Sequence, residues 1–408
     1  MIPTEPYKGT RDFYPEDMAI ERYIFDTWAK TAELFGYERY DASVLEPSEL
    51  YRSKASENEE IITNQTYTFT DRGDREVTLR PEMTPTVARM VASKRRELHF
   101  PVRWYSIPNV FRYERPQRGR LREHWQLNCD IFGTNDISAD IEVIALAYQI
   151  LTAFGADQST FEIRLNDRAW LDREFDTQEI PKELRNSLLA LLDRKEKIDN
   201  FDEEAEKILG KPYKVPTAIE AGSRLDEVVK ALRTLGITNV RFSASTVRGF
   251  NYYTGIVFEI FDTSKENNRS LIGGGRYDNL TELFGGETVP GIGFGMGDVT
   301  MRDFLEIRDL IPDSVRTTAP TLIVVPTEIE HNLRGLALAQ TFRSFGIRAS
   351  VDTSERKLGK KIGIASERGA EYVLVVGENE MNSGIYTLKN LKTEEERSGT
   401  PEELASQA

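Results

Sequence analysis

Phe111-Arg112-Tyr113-Glu114-Arg115-Pro116-Gln117-Arg118-Gly119-Arg120, followed by Gln126-Leu127-Asn128-Cys129-Asp130-Ile131-Phe132, is the stretch on which the fold turns. It reads as two strands joined by an arginine-rich loop. Trp104 to Tyr113 is rich in aromatic and β-branched residues, which suit a pleated, half-buried surface. Gln126 to Phe132 alternates strictly. Period two places Gln126, Asn128 and Asp130 on one face and Leu127, Cys129 and Ile131 on the other. Arg112 and Glu114 share a face by the same rule, beside a loop holding Arg115, Arg118, Arg120 and Arg122. Taken alone, the pattern suits a ligand with an anionic part and a cationic end. It equally suits a hairpin with a solvated face and a basic tip.

Composition narrows the class. A chain of 408 residues holds two or three domains and a substantial core. Hydrophobic content of 39% and charged content of 29% are ordinary for a globular protein. No apolar run reaches the length of a membrane span, and Met1-Ile2-Pro3-Thr4-Glu5 lacks a signal-peptide profile, so a cytoplasmic location is expected. Cys129 is the only cysteine, which excludes an intrachain disulfide and a thiolate metal cluster. The net charge of -14 argues against nonspecific coating of nucleic acid. A specific nucleic-acid ligand then needs local positive charge, for which Lys94-Arg95-Arg96, the hairpin loop, and Lys357 with Lys360-Lys361 are candidates.

Along the chain, Ile20, Ile24 and Trp28 recur at helical spacing before a stop near Gly36. Tyr67–Thr70 and Glu76–Arg80 flank Asp71-Arg72-Gly73-Asp74 as a hairpin, and Glu82 follows just past the second strand. Thr134 to Gly155 predicts a helix with Ser138 at its N-cap. Residues 166–239 are helical, charged and leucine-rich, and carry no catalytic constellation. Tyr252-Tyr253 precede the strand Ile256–Phe261, and Gly273-Gly274-Gly275 let backbone pass close to a neighbour. Gly291-Ile292-Gly293-Phe294-Gly295-Met296-Gly297 strips the side chains from one strand face. That suits a flat bed for a purine, or a strand crossed closely by other backbone. Asp298 is then placed to cap the next helix. Beyond Pro312, alternating apolar strands and helices predict a small parallel α/β domain.

Several of these segments together resemble the histidyl-tRNA synthetases, within the class II aminoacyl-tRNA synthetases. Phe111 to Phe132 is similar to their motif 2, Lys8-Gly9-Thr10-Arg11-Asp12 to their entry segment, and Tyr37–Leu50 corresponds in position to motif 1. Arg248-Gly249-Phe250-Asn251-Tyr252-Tyr253 resembles the first histidine-specific motif, and Gly273 to Asp278 the second. Gly291–Gly297 resembles motif 3. Two departures stand out: Ser43 where motif 1 usually has proline, and Val299-Thr300 where motif 3 usually ends in Glu-Arg, the arginine of which contacts ATP.

The resemblance implies an α+β catalytic core with a mixed, mainly antiparallel sheet over residues 1–165 and 240–312. It implies a helical insertion over 166–239 and a C-terminal α/β anticodon-binding-like domain over 318–408. The implied activity joins L-histidine to ATP, giving histidyl-adenylate, and then transfers histidine to tRNA(His). Partners would be a second copy in a homodimer and Mg2+ on the ATP phosphates, with metal ligands unassigned and no membrane. Glu82, Met83 and Thr84 would floor the amino-acid pocket. Glu82 and Gln126 would face the ammonium, and Asp130 and Tyr253 the imidazole, with Tyr252 alongside. Arg112 and Arg248 would be catalytic, neutralising charge at the α-phosphate from two sides. Glu114, Arg120, Gly293, Gly295 and Gly297 would complete the ATP site, and a further cation from the motif 2 loop would cover the outer phosphates. The rival expectation is a catalytically silent relative, the regulatory subunit of ATP phosphoribosyltransferase, which the altered motif 3 favours and the arginine-rich loop opposes.

Overall fold

The structure, a computed structural model, describes residues 2–52, 65–247, 252–267, 269–316 and 318–407. It divides into two compact units: Met1–Asp12 with Glu21–Ile311, and Phe13–Ile20 with Pro312–Ala408.

In the first unit, strands β1 (Glu38–Arg39), β2 (Leu45–Pro47), β3 (Tyr67–Thr70) and β4 (Glu76–Leu79) come first. β5 (Val102–Ser106), β6 (Asn109–Phe111), β7 (Glu123–Phe132) and β8 (Phe161–Asp167) follow. β9 (Val240–Phe242), β10 (Ile256–Asp262), β11 (Ser270–Arg276) and β12 (Gly291–Gly297) complete the set. β2, β4 and β3 make a small antiparallel sheet that contains the expected 67–79 hairpin. The rest form a nine-stranded sheet in the order β1-β5-β7-β12-β11-β10-β8-β9, with β6 also paired to β7. Its pairs are antiparallel except β1 with β5 and β8 with β9, so the mixed, mainly antiparallel core is the one that forms.

β7 is the axis of this sheet. Leu127, Cys129 and Ile131 are fully buried, as the alternation requires. Asn128 and Asp130, on the polar face, are buried too, so that end of the face is covered by protein, while His124 and Gln126 stay half-exposed. The expected partner strand, Trp104 to Tyr113, is in fact two strands. Pro108 has no N–H to give to a ladder, and pairing with β7 breaks between Ser106↔Asn128 and Asn109↔Trp125. Regular structure ends at Phe111, so Arg112 and Glu114 stand in the loop and do not share a strand face.

The helix Pro15–Leu34 buries Ile20, Ile24 and Trp28. The helix Ile137–Ala153 is capped by Asp136, whose carboxylate accepts from Ser138 N at 2.8 Å; Ser138 lies inside the helix. Helices Arg168–Thr177, Lys182–Leu192 and Phe201–Leu209 close a separate apolar cluster through Leu171, Phe175, Leu188, Leu192 and Phe201, within the first unit. The helix Asp298–Ile307 has Gly297 at its cap position. Asp298 instead turns its buried carboxylate to Trp125 N at 3.0 Å and to Arg11, tying the helix start to β7.

The second unit contains β13 (Leu322–Pro326), β14 (Ala349–Val351), β15 (Tyr372–Val376), β16 (Tyr386–Asn390) and β17 (Glu396–Gly399). Their order is β14-β13-β15-β16-β17. The first three run parallel, as expected, and the last two add antiparallel. Lys361, expected in a basic surface patch, is buried: its Nζ donates to Pro326 O at 2.8 Å and to Asp352 O at 3.3 Å. Lys357 and Lys360 remain exposed.

Candidate active site

A cavity of about 930 Å³ opens in the first unit over the polar face of β7 and the glycine strand β12. Glu82 and Thr84 reach it from the turn between β4 and the helix Thr84–Lys94. Gln126 enters from β7, and Tyr252 and Tyr253 from the segment before β10. Tyr252 donates its phenol to Glu82 Oε2 at 3.1 Å. Tyr253 packs on Tyr252 with ring centroids 4.7 Å apart. It comes so close to β11 that a Cβ on Gly275 would lie 2.8 Å from its ring. Met83 does not join this wall. Its side chain is fully buried, with Sδ 4.0 Å from Arg80 Nη1.

The alternating glycines have a concrete cause. A Cβ on Gly295 would lie 2.1 Å from Gln126 Nε2, and one on Gly293 would lie 2.1 Å from Asp130 Oδ1. Gly293 is opposite Asp130 in the β7–β12 register, whereas Gly295 is opposite Asn128, the next residue on that face from Gln126, whose side chain leans across it. The bare face is therefore overlaid in part by polar side chains of β7. Gly293, Gly295 and Gly297 still border the cavity.

Asp130 meets the cavity through Tyr277. Tyr277 lines the wall and donates its phenol to Asp130 Oδ1. Oδ2 is buried with no hydrogen-bond partner among the described residues. Burial pushes the Asp130 carboxyl up to about 7, against the pull of the Tyr277 hydrogen bond. Burial, and then the Asp130 charge, hold the Tyr277 phenol well above its usual range. The proton therefore stays on Tyr277, whose oxygen keeps lone pairs for a donor in the cavity.

Cations enter from the loop. Arg112 Nε donates to Pro81 O at 2.9 Å, which fixes the guanidinium beside Glu82's turn. Its Nη groups have no protein partner among the described residues. Glu114 and Arg120 also line the cavity and pair with each other at 3.0 Å. Arg122 is different. It lies 4.0 Å over the Tyr113 ring and bonds Glu114 O and Tyr7 Oη, so it braces the loop. Arg248 lies outside the described residues.

The lining residues given no role by the sequence reading include His124, Tyr277 and Arg269. His124 carried a signal, since it continues the even-numbered face of Gln126, Asn128 and Asp130. Burial, followed by the charges of Arg112 and Arg11, pushes it down to about 3, so it is neutral at pH 7. Tyr277 stands in the quoted glycine segment but contacts a residue on a distant strand. A carboxylate, an amide and tyrosines thus share one cavity with unpaired guanidinium groups. This arrangement has the chemistry to hold an ammonium-bearing polar molecule next to an anion.

Known proteins supply the rest. The family profile described as Histidyl-tRNA synthetase matches residues 9–199 and 165–298, and the one described as Anticodon binding domain matches residues 321–407. A protein named Histidine--tRNA ligase from Leptospira biflexa is 42% identical, covering 96% of this chain and 94% of its own length. One of the same name from Thermoplasma volcanium is 37% identical, covering 96% and 95%. The apo histidyl-tRNA synthetase of S. aureus superposes with a TM-score of 0.76 at 25% identity, over 100% of this chain and 99% of that one. A Bacillus halodurans structure titled ATP phosphoribosyltransferase regulatory subunit/histidyl-tRNA synthetase covers 90% of this chain and 97% of its own, at 22% identity and a TM-score of 0.67, a likeness of fold. The chain belongs to the histidyl-tRNA synthetase family.

Proposed function

We propose that this protein is a ligase that activates L-histidine with ATP and charges tRNA(His). The observation that carries the reading is the single cavity in which Glu82, Gln126 and the Tyr277–Asp130 pair share walls with Arg112. In the first step a carboxylate oxygen of histidine attacks the α-phosphorus of ATP, and the bond to pyrophosphate breaks. In the second, a terminal ribose hydroxyl of the tRNA attacks the histidyl carbonyl, and AMP leaves. Neither step needs a protein nucleophile; both need positioning and charge neutralisation.

Glu82, accepting from Tyr252, is suited to the α-ammonium, with Gln126 beside it. Tyr277, its proton committed to Asp130, offers an acceptor to an imidazole N–H; Tyr253 packs beside it. A site built around such a hydrogen bond rejects analogues lacking the group by ~10⁴ or more. Arg112, held by Pro81 O, is suited to the α-phosphate. Arg248 is assigned to the opposite side by its motif alone. Mg2+, when bound with ATP, would supply further charge neutralisation at the phosphates. Among the described residues no three ligating side chains gather, and Glu114 fits as the single protein carboxylate of a mostly phosphate and water shell. A homodimer in the cytoplasm, with the second unit binding tRNA, belongs to the same reading. A charging assay with labelled histidine, ATP and tRNA(His) tests it: histidyl-tRNA should accumulate. Histidine binding without any charging would return the protein to the regulatory alternative, toward which Val299-Thr300 in the altered motif 3 points.

A further inference from the structure

Arg269 lies in the loop between β10 and β11, half-buried at the cavity wall. Its Nε donates to Arg118 O at 3.0 Å, which pins the motif 2 loop with one donor. The Nη groups make no hydrogen bond or ion pair among the described residues. Gly119, at φ 74, shows how tight the corner is. A Cβ there would lie 2.7 Å from Arg269 Cδ and 3.5 Å from Thr300 Cγ2. Arg269 and Thr300 therefore flank the same loop glycine, and both line the cavity. Thr300 sits in the first turn of the helix Asp298–Ile307, an end that favours negative charge. Arg302, in the same helix, pairs with Glu306 at 3.0 Å.

Charge makes this corner anion-seeking. Arg120 faces Arg269 closely enough to lower its pKa, after desolvation, while Glu114 counteracts weakly and is already paired with Arg120. Two guanidinium groups sharing one carboxylate in a half-buried cavity repel each other until a further anion arrives. A purely structural tether would not need a charged side chain with four spare N–H donors beside another cation.

We propose that Arg269, acting with Arg120, binds the outer phosphates of ATP at the corner formed by Gly119 and Thr300. The inference rests on the reading of the cavity as an ATP site, and places the outer-phosphate cation in the β10–β11 loop rather than in the motif 2 loop alone. Arg112, tied beside Glu82, is left to the α-phosphate.

The test is calorimetric titration of the full chain with ATP and, separately, with AMP, in magnesium chloride, using unmutated protein, Arg269→Met and Arg269→Lys. Loss of a charge-assisted contact predicts a fall in ATP affinity of about 10- to 100-fold in Arg269→Met. AMP and histidine affinity should be unchanged, and Arg269→Lys should be intermediate. Adding Thr300→Arg to Arg269→Met should restore ATP affinity, since both side chains border Gly119. Equal losses for ATP and AMP, no loss for either, or an unmutated protein that binds AMP as tightly as ATP would overturn the proposal. These titrations need no turnover, so failure to charge tRNA would count against the proposed function and leave the Arg269 result readable.

Discussion

Tyr277 donates its phenolic proton to Asp130 across 147 residues of sequence, and the pair closes the buried end of the polar face of β7. The carboxyl is raised from 3.8 to about 7, so Asp130 is charged above that pH and protonated below it. Histidine affinity should fall as pH drops through about 7, because a neutral Asp130 holds the Tyr277 proton less strongly than the carboxylate does. The substrate imidazole titrates nearby, so the measurement is the difference between unmutated protein and Asp130→Asn. Asp130→Asn should bind histidine more weakly and lose this component of the pH profile.

The same residue sets a stability dependence. Between pH 3.8 and about 7 the folded state holds a proton that the unfolded chain releases. That stabilisation is fully present below the unfolded value and is lost as pH rises through about 7. Urea midpoints of the ligand-free protein should therefore decline less with rising pH over this window in Asp130→Asn than in the unmutated protein. Parallel declines would contradict the assigned shift.

Gly293 and Gly295 should respond differently to alanine. At Gly295 the new Cβ meets the far end of Gln126, which can swing away, so histidine binding suffers more than folding. At Gly293 the Cβ would also lie 2.6 Å from Cys129 O, a backbone atom that cannot move cheaply. Gly293→Ala should cost about 1–3 kcal/mol by overpacking, and Gly295→Ala clearly less. Thermal melts and histidine titration of both variants decide this.

In the second unit, Lys360 and Lys361 are adjacent and should behave oppositely. Lys361→Ala leaves the buried Pro326 O and the half-buried Asp352 O short of a donor, and should lower the unit's melting temperature. Lys360→Ala should leave the melt alone and, if Lys360 contacts a tRNA phosphate, reduce the salt slope of tRNA binding by about 1. Filter binding across salt concentrations checks the second half.

The sequence made the period-two face of β7, the 67–79 hairpin and the glycine strand legible, because each is a local pattern. It did not reveal what those patterns meet. The reason for alternating glycines is two side chains on the neighbouring strand, and the reason Asp130 matters is a tyrosine 147 residues away. Pro108 was visible, yet its effect, splitting one expected strand into β5 and β6, depends on the ladder with β7. Lys361 read as a surface cation because it follows Lys357 and Lys360, while its side chain is in fact taken up by carbonyls on other elements. Arg269 carried no motif at all, and only the fold brings it to Gly119.

Adenylate formation is the centre of the account, and ATP–pyrophosphate exchange with each amino acid supplied separately tests it most directly. Histidine alone should support exchange, and Arg248→Ala and Arg112→Ala should each abolish it in a folded protein, consistent with charge stabilisation worth ~3 kcal/mol or more at the reacting centre. Exchange with several amino acids equally, or none with histidine in the unmutated protein, would contradict the account.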